Sequence, residues 1–146
     1  MALEFYNLIL DHSHKTPDHP AIIDGESTIS YKELIEQIND FSQALGDLQL
    51  TKNSKLGLLC LNQKEFLIAL LGAFRKGLPV IPLNALLNAE TLAFIIKDAN
   101  IDNLLLNPVF IKEETAAFFN SFNKVILTGV SQQNELLKND AVIFTP

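Results

Sequence analysis

The chain has 146 residues, 48% hydrophobic and 19% charged, a composition that excludes a disordered or fibrous protein. At this length a core buries about 68–70% of the surface the unfolded chain exposes, so neither a disulfide nor a structural metal is required. The balance of 11 Lys and Arg against 17 Asp and Glu gives a formal charge of -6, and the basic residues are scattered rather than striped, which argues against nucleic acid as a partner.

Positions 3–10 place apolar residues at Leu3, Tyr6 or Phe5, and Ile9 or Leu10, the pattern of a short amphipathic helix ending before Pro17. Between 21 and 31, Asp24-Gly25 separates two short β-prone runs and predicts a hairpin. Ser30 and Glu33 then have the spacing of a capping box, and Leu34, Ile38, Phe41, Leu45 and Leu48 recur at three and four, so 31–48 reads as a helix with one buried face, expected to lie on a sheet.

From there, continuously apolar runs at 55–61, 80–83, 104–106 and 125–128 alternate with helical runs at 64–76, 89–99 and 112–122. Runs without alternation are those of strands covered on both faces in a mainly parallel sheet. Gly77 stops the helix at 64–76 after Arg75 and Lys76, whose charges suit its C-terminal dipole. The polar stretch 129–140 reads as a surface loop with one helical turn, and 141–144 as a last strand. The apolar run 66–74 is far below the roughly 20 residues of a membrane span, so no transmembrane segment is expected. The fold class is therefore α/β, a three-layer arrangement of helices on a mainly parallel sheet with an early hairpin, in a single domain over 1–146.

Few residues offer chemistry. Asn62, Asn84 and Asn107 each follow a strand-like run, at the edge where open sheets bind ligands, but asparagine there serves turns and helix N-caps, Asn62 standing three residues before Glu65. His12, His14 and His19 share a segment with Pro17 and Pro20 and no cysteine, which reads as a surface loop rather than a metal site. The single Cys60 lies in an apolar run and reads as a buried, inert thiol. With no secretory pattern at the N-terminus it points to a reducing compartment, so a cytoplasmic protein is expected. Glu113 and Glu114 form a solvated pair in a first helical turn. A receiver-type signalling domain would need aspartates at the strand ends, where this chain has asparagines. The six glycines, at 25, 46, 57, 72, 77 and 129, are isolated, so there is no phosphate-cradling loop.

Four stretches taken together resemble the beginning of the adenylate-forming superfamily, which includes acyl-CoA synthetases, peptide-synthetase adenylation domains and luciferases. Residues 16–25 look like its opening strand region, and Ile29-Ser30-Tyr31-Lys32-Glu33-Leu34 like its early Ser/Thr-Tyr-x-Glu-Leu motif. Residues 58–62 with Glu65-Phe66 and 69–73 look like the strand and helix that follow. Residues 72–84 resemble the helix that ends at glycine before a strand runs into Pro-Leu-Asn, and 92–98 continue the likeness. The ending Pro82-Leu83-Asn84 with Leu86, Leu87 and Asn88 looks more like an acyl-CoA synthetase.

The resemblance implies an ATP-dependent carboxylate–CoA ligase using ATP, Mg and coenzyme A, of which this chain is an N-terminal fragment stopping before the phosphate-binding loop. It also implies that Thr145 matches the first hydroxyl residue of that loop, although Pro146 departs from the small residue usual next. The fragment alone is expected to hold no cofactor, no metal and no catalytic residue, to be inactive, and to self-associate through surface the missing part would cover. The competing reading is a free-standing, non-catalytic α/β ligand-binding or protein-interaction module.

Overall fold

The computed structural model describes residues 2–128, 135–137 and 141–144. They fall into two compact units, one made of 2–52 and 62–78, the other of 53–61, 79–128, 135–137 and 141–144.

The first unit opens with α1 (Ala2–Lys15), longer than the expected 3–10. Nothing in 11–15 breaks a helix, the Asp11–Lys15 pair bridges one turn at 2.6 Å, and the Thr16 amide closes onto the His12 carbonyl. His12 and His14 therefore sit on the last turn of a helix, not in a loop. The hairpin forms as β1 (Pro20–Asp24) and β2 (Ser27–Ser30), antiparallel, turning at Gly25 with φ 59°.

Helix α2 (Tyr31–Asp47) begins with the expected capping box: the Ser30 hydroxyl accepts from the Glu33 amide, and the Glu33 carboxylate accepts from the Ser30 amide at 2.7 Å. Its buried face is Leu34, Ile38, Phe41 and Leu45. In this unit α2 packs closely on α3 (Lys64–Lys76) and also meets α1 and both strands of the hairpin. Gly72 makes the closeness possible. A Cβ there would stand 2.8 Å from Phe41 Cδ1 and 3.1 Å from the Ile38 carbonyl oxygen. The N-cap of α3 is Gln63, which makes no side-chain cap bond, so Asn62 does not hold that place. Asp24, at the end of β1, instead accepts from the Lys64 amide at 3.2 Å.

The second unit is a five-stranded sheet of β3 (Leu56–Leu59), β4 (Val80–Pro82), β5 (Asn103–Leu106), β6 (Lys124–Thr128) and β7 (Val142–Phe144), in the order β4-β3-β5-β6-β7 with every pairing parallel. Strands β3 and β5 are buried at every position, which is why they read as unbroken apolar runs. Helix α4 (Ala89–Asp98) joins β4 to β5, and its Asn88 side chain caps the Thr91 amide at 2.8 Å. The expected helix over 112–122 is shorter, α5 (Glu113–Phe119), and follows a 3-10 turn at Pro108–Phe110 that Pro108 starts. At the amino edge, Asp102 Oδ1 accepts from the Lys55 amide at 2.9 Å and from the Asn103 side chain at 2.7 Å, satisfying a buried asparagine. Of the loop expected over 129–140, only 135–137 are described, and they form a turn.

Candidate functional site

Chain order and strand order change direction between β3 and β5: the chain steps from β3 to β4 on one side, then crosses back to β5 on the other. In an open parallel sheet the crevice outside the carboxyl ends at such a reversal is the usual ligand site. The three strand ends there are in register, the Leu83 amide donating to Leu58 O and the Asn107 amide to Leu59 O, both at 2.9 Å.

The polar side chains of this edge serve the chain itself. Asn84 Oδ1 accepts from the Leu86 amide at 2.9 Å and Asn107 Oδ1 from the Val109 amide at 3.0 Å. Both asparagines are thus turn residues, as their sequence context implies. Cys60 lies one residue past β3, half-buried rather than buried, with Sγ 3.9 Å from the Leu105 carbonyl oxygen. Beside these turns is an open groove of about 410 Å³ lined by Leu59, Ala85, Leu87, Leu92, Phe110 and Phe119, with Lys112 and Glu114 also on its wall. Its size suits a small molecule or an inserted side chain, and its lining is mainly apolar.

Elsewhere the titratable groups are structural. The amide and hydroxyl of Ser30 hold the Glu33 carboxyl below the usual range, and the hydrogen bond from Lys15 does the same for Asp11. His12 stacks on Tyr31 at 4.9 Å, and His19 Nδ1 lies 3.1 Å from the Pro20 carbonyl. Glu113 and Glu114 occupy the exposed first turn of α5. Among the described residues no three His, Cys, Asp or Glu side chains converge as metal ligands. Thr145 lies outside the described residues. The arrangement can hold and orient other groups. Sequence reasoning missed the Asn88 cap, although Asn88 stands directly before a helical run, and the Asp102–Asn103–Lys55 clasp, which spans 48 residues and has no local signal.

The family model for AMP-binding enzymes matches residues 10–145. The chain is 27% identical over 128 residues to bacitracin synthase 1 of Bacillus licheniformis, covering 88% of this chain and 2% of that protein. It is 34% identical over 84 residues to a medium/long-chain-fatty-acid–CoA and 3-oxocholest-4-en-26-oate–CoA ligase of Mycolicibacterium smegmatis, covering 58% and 15%. Among solved structures, an o-succinylbenzoate CoA synthetase from Bacillus subtilis, in complex with its acyl-adenylate intermediate, superposes with a TM-score of 0.69 at 23% identity, over 76% of this chain and 29% of that one. A mutant form of coronafacic acid ligase from Pectobacterium brasiliense gives 0.82 at 13% identity, over 95% and 28%. These likenesses establish the fold of the opening region of such enzymes, and the chain spans a minor share of each relative's length.

Proposed function

Because this chain belongs to the AMP-binding enzyme family, we propose that residues 1–146 form one α/β domain, the opening part of the large N-terminal domain of an adenylate-forming carboxylate–CoA ligase. The observation that carries the reading is the family match across 10–145. In the reaction, a carboxylate oxygen attacks the α-phosphorus of ATP and the bond to pyrophosphate breaks. A thiol sulfur then attacks the acyl carbon, AMP leaves, and the thiol proton passes to a base.

The described residues supply neither ligands for Mg nor a glycine-rich cradle for the triphosphate, so no step is assigned to them. Their part is scaffolding: a sheet whose buried strands fix a carboxyl edge from which β7 leads into Thr145, proposed as the first hydroxyl of a phosphate loop. Coenzyme A as acceptor is supported by the Pro82-Leu83-Asn84 ending and by the 34% identity to a CoA ligase. A protein-bound thiol is the second reading, favoured by the likeness to bacitracin synthase 1 over 88% of this chain. The lone Cys60 and the family's ATP chemistry fit a cytoplasmic enzyme.

The test is carboxylate-dependent pyrophosphate exchange by the natural gene product carrying these residues, across a broad panel of acids, followed by acceptor trials with coenzyme A and with a phosphopantetheinyl carrier. Exchange with thioester formation on coenzyme A supports the ligase; transfer only to the carrier shifts it to the second reading. A folded product without exchange sinks both.

A further inference from the structure

Asp24-Gly25 is the one place in the sequence where a glycine follows an aspartate, and it forms the tip of the hairpin. Asp24 pairs with Ser27, so Gly25 and Glu26 make a two-residue loop, and positive φ falls on Gly25, at 59°, and not on Glu26, the pattern of a type II′ turn. Both loop residues are exposed, and a Cβ on Gly25 would meet nothing within 4 Å. No side chain on Gly25 hinders the approach of its nitrogen to the carboxyl carbon beside it.

That carboxyl is held by a distant group. Asp24 is half-buried, and its Oδ2 accepts at 3.2 Å from the amide of Lys64, the first residue of α3. Gln63 supplies no side-chain cap there, so the bond satisfies an orphan helix amide and ties the carboxyl to a point 40 residues away in the chain. Pairing with Ser27 also keeps the Asp24 backbone extended, and a planar five-membered ring through Cγ and the Gly25 nitrogen closes only after that backbone rotates. Two restraints stand against one reactive pair.

We propose that Asp24 is a self-modification site, converting to isoaspartate when the hairpin tip opens, and that the Lys64 amide is the group restraining it. In the first step the Gly25 nitrogen attacks Asp24 Cγ, the N–Cγ bond forms, and the hydroxyl of the protonated carboxyl leaves as water with the amide proton. The product is a succinimide. Water then adds to one of its two carbonyls: opening at Cγ restores aspartate, and opening at the main-chain carbonyl carbon runs the chain through Cβ as isoaspartate. No oxidant, reductant or second substrate enters. A two-stranded ribbon is marginal by itself, which supplies the opening. With an extra carbon in the main chain, the converted residue loses both the Ser27 register and the Lys64 contact, so each conversion is a lasting record that the hairpin and α3 came apart.

The test ages the natural gene product at neutral pH, counts isoaspartate by enzymatic methyl transfer from S-adenosylmethionine, and places it at residue 24 by electron-transfer fragmentation. Lys64→Pro removes the restraining amide and little else, because proline is accepted at the first helical position and Gln63 before it is already extended, at φ -127° and ψ 173°. Isoaspartate at 24 is expected to form several-fold faster in Lys64→Pro than in the natural product at unchanged helix content, and to be absent from Asp24→Glu. In sub-denaturing urea, hydrogen exchange at the Lys64 amide and isoaspartate formation are expected to rise together in the natural product, a readout that needs no substitution. Equal rates with and without the Lys64 amide, or isoaspartate that rises while Lys64 exchange stays constant, overturn the proposal. No isoaspartate at 24 even in the urea-unfolded natural product overturns the site itself.

Discussion

Phe41 and Gly72 form a matched pair in which one residue's absence of side chain makes room for the other's ring. With Phe41 fully buried where α2 meets α3, Phe41→Ala is expected to cost about 3–5 kcal/mol, read as a lowered denaturation midpoint at unchanged slope. Gly72→Ala is the converse test. Helix propensity alone would favour alanine by about 1 kcal/mol, but the new methyl would lie 2.8 Å from the ring and 3.1 Å from a backbone oxygen that cannot swing away. Overpacking of this kind costs about 1–3 kcal/mol, so a net loss of stability is expected, and a gain would show that α2 and α3 separate freely. Glu33 is a titratable handle on the same unit. Hydrogen bonds from the amide and hydroxyl of Ser30 lower its pKa in the fold, so its contribution is complete above the ordinary carboxylate range and is lost as pH falls through the lowered value. Urea midpoints measured downward through that acid window should fall more steeply for the natural chain than for Glu33→Gln.

At the scale of elements, α2, α3 and α4 end in one way. A residue in the left-handed region, Gln49, Gly77 or Asn100, is followed by Leu50, Leu78 or Ile101, whose amide bonds the carbonyl five residues back and whose side chain is buried. Only the glycine announces this in the sequence. Gln49, at φ 61°, bears the steric cost of about 1–2 kcal/mol that glycine avoids, offset in part by glycine's greater freedom when unfolded. Gln49→Gly is therefore expected to raise stability by roughly 0.5–1 kcal/mol in thermal unfolding, and a lower midpoint would mean that the glutamine side chain contributes a contact of its own. The same contrast explains what was legible. The capping box at Ser30 and Glu33, the hairpin at Asp24-Gly25 and the parallel strands are written in short-range patterns. The length of α1, the break before α5, the N-terminus of α3 held by Asp24 and the asparagine clasp at the amino edge depend on partners up to 48 residues away or on the absence of a breaker. For the candidate site, the strand-end asparagines were visible as turn residues, but that two of them accept from the amides of exposed apolar residues required the fold.

At the scale of the whole molecule, catalytic competence is a question of which groups converge. Binding of MgATP requires several donors aimed at the phosphates and a charge-neutralising site. Residues 1–146 have only isolated glycines, and among the described residues no acid cluster suits a divalent ion and no helix is long and apolar enough to cross a membrane. Chance contacts from Asn84 or Asn107 to a nucleotide would give at most millimolar affinity, about 4 kcal/mol, and both oxygens are already engaged by backbone amides. A polypeptide of these 146 residues is therefore expected to show no saturable binding of MgATP at micromolar concentration by calorimetry, and no carboxylate-dependent pyrophosphate exchange, whereas a natural gene product with the proposed ligase activity does both. Because Leu61, Leu86 and Val109 are exposed, the isolated polypeptide should also bind a hydrophobic dye and self-associate in sedimentation, both reduced by Leu86→Ser with Val109→Ser. Micromolar ATP binding by the isolated polypeptide would place a nucleotide site within these residues, and the scaffolding role would give way to a direct one.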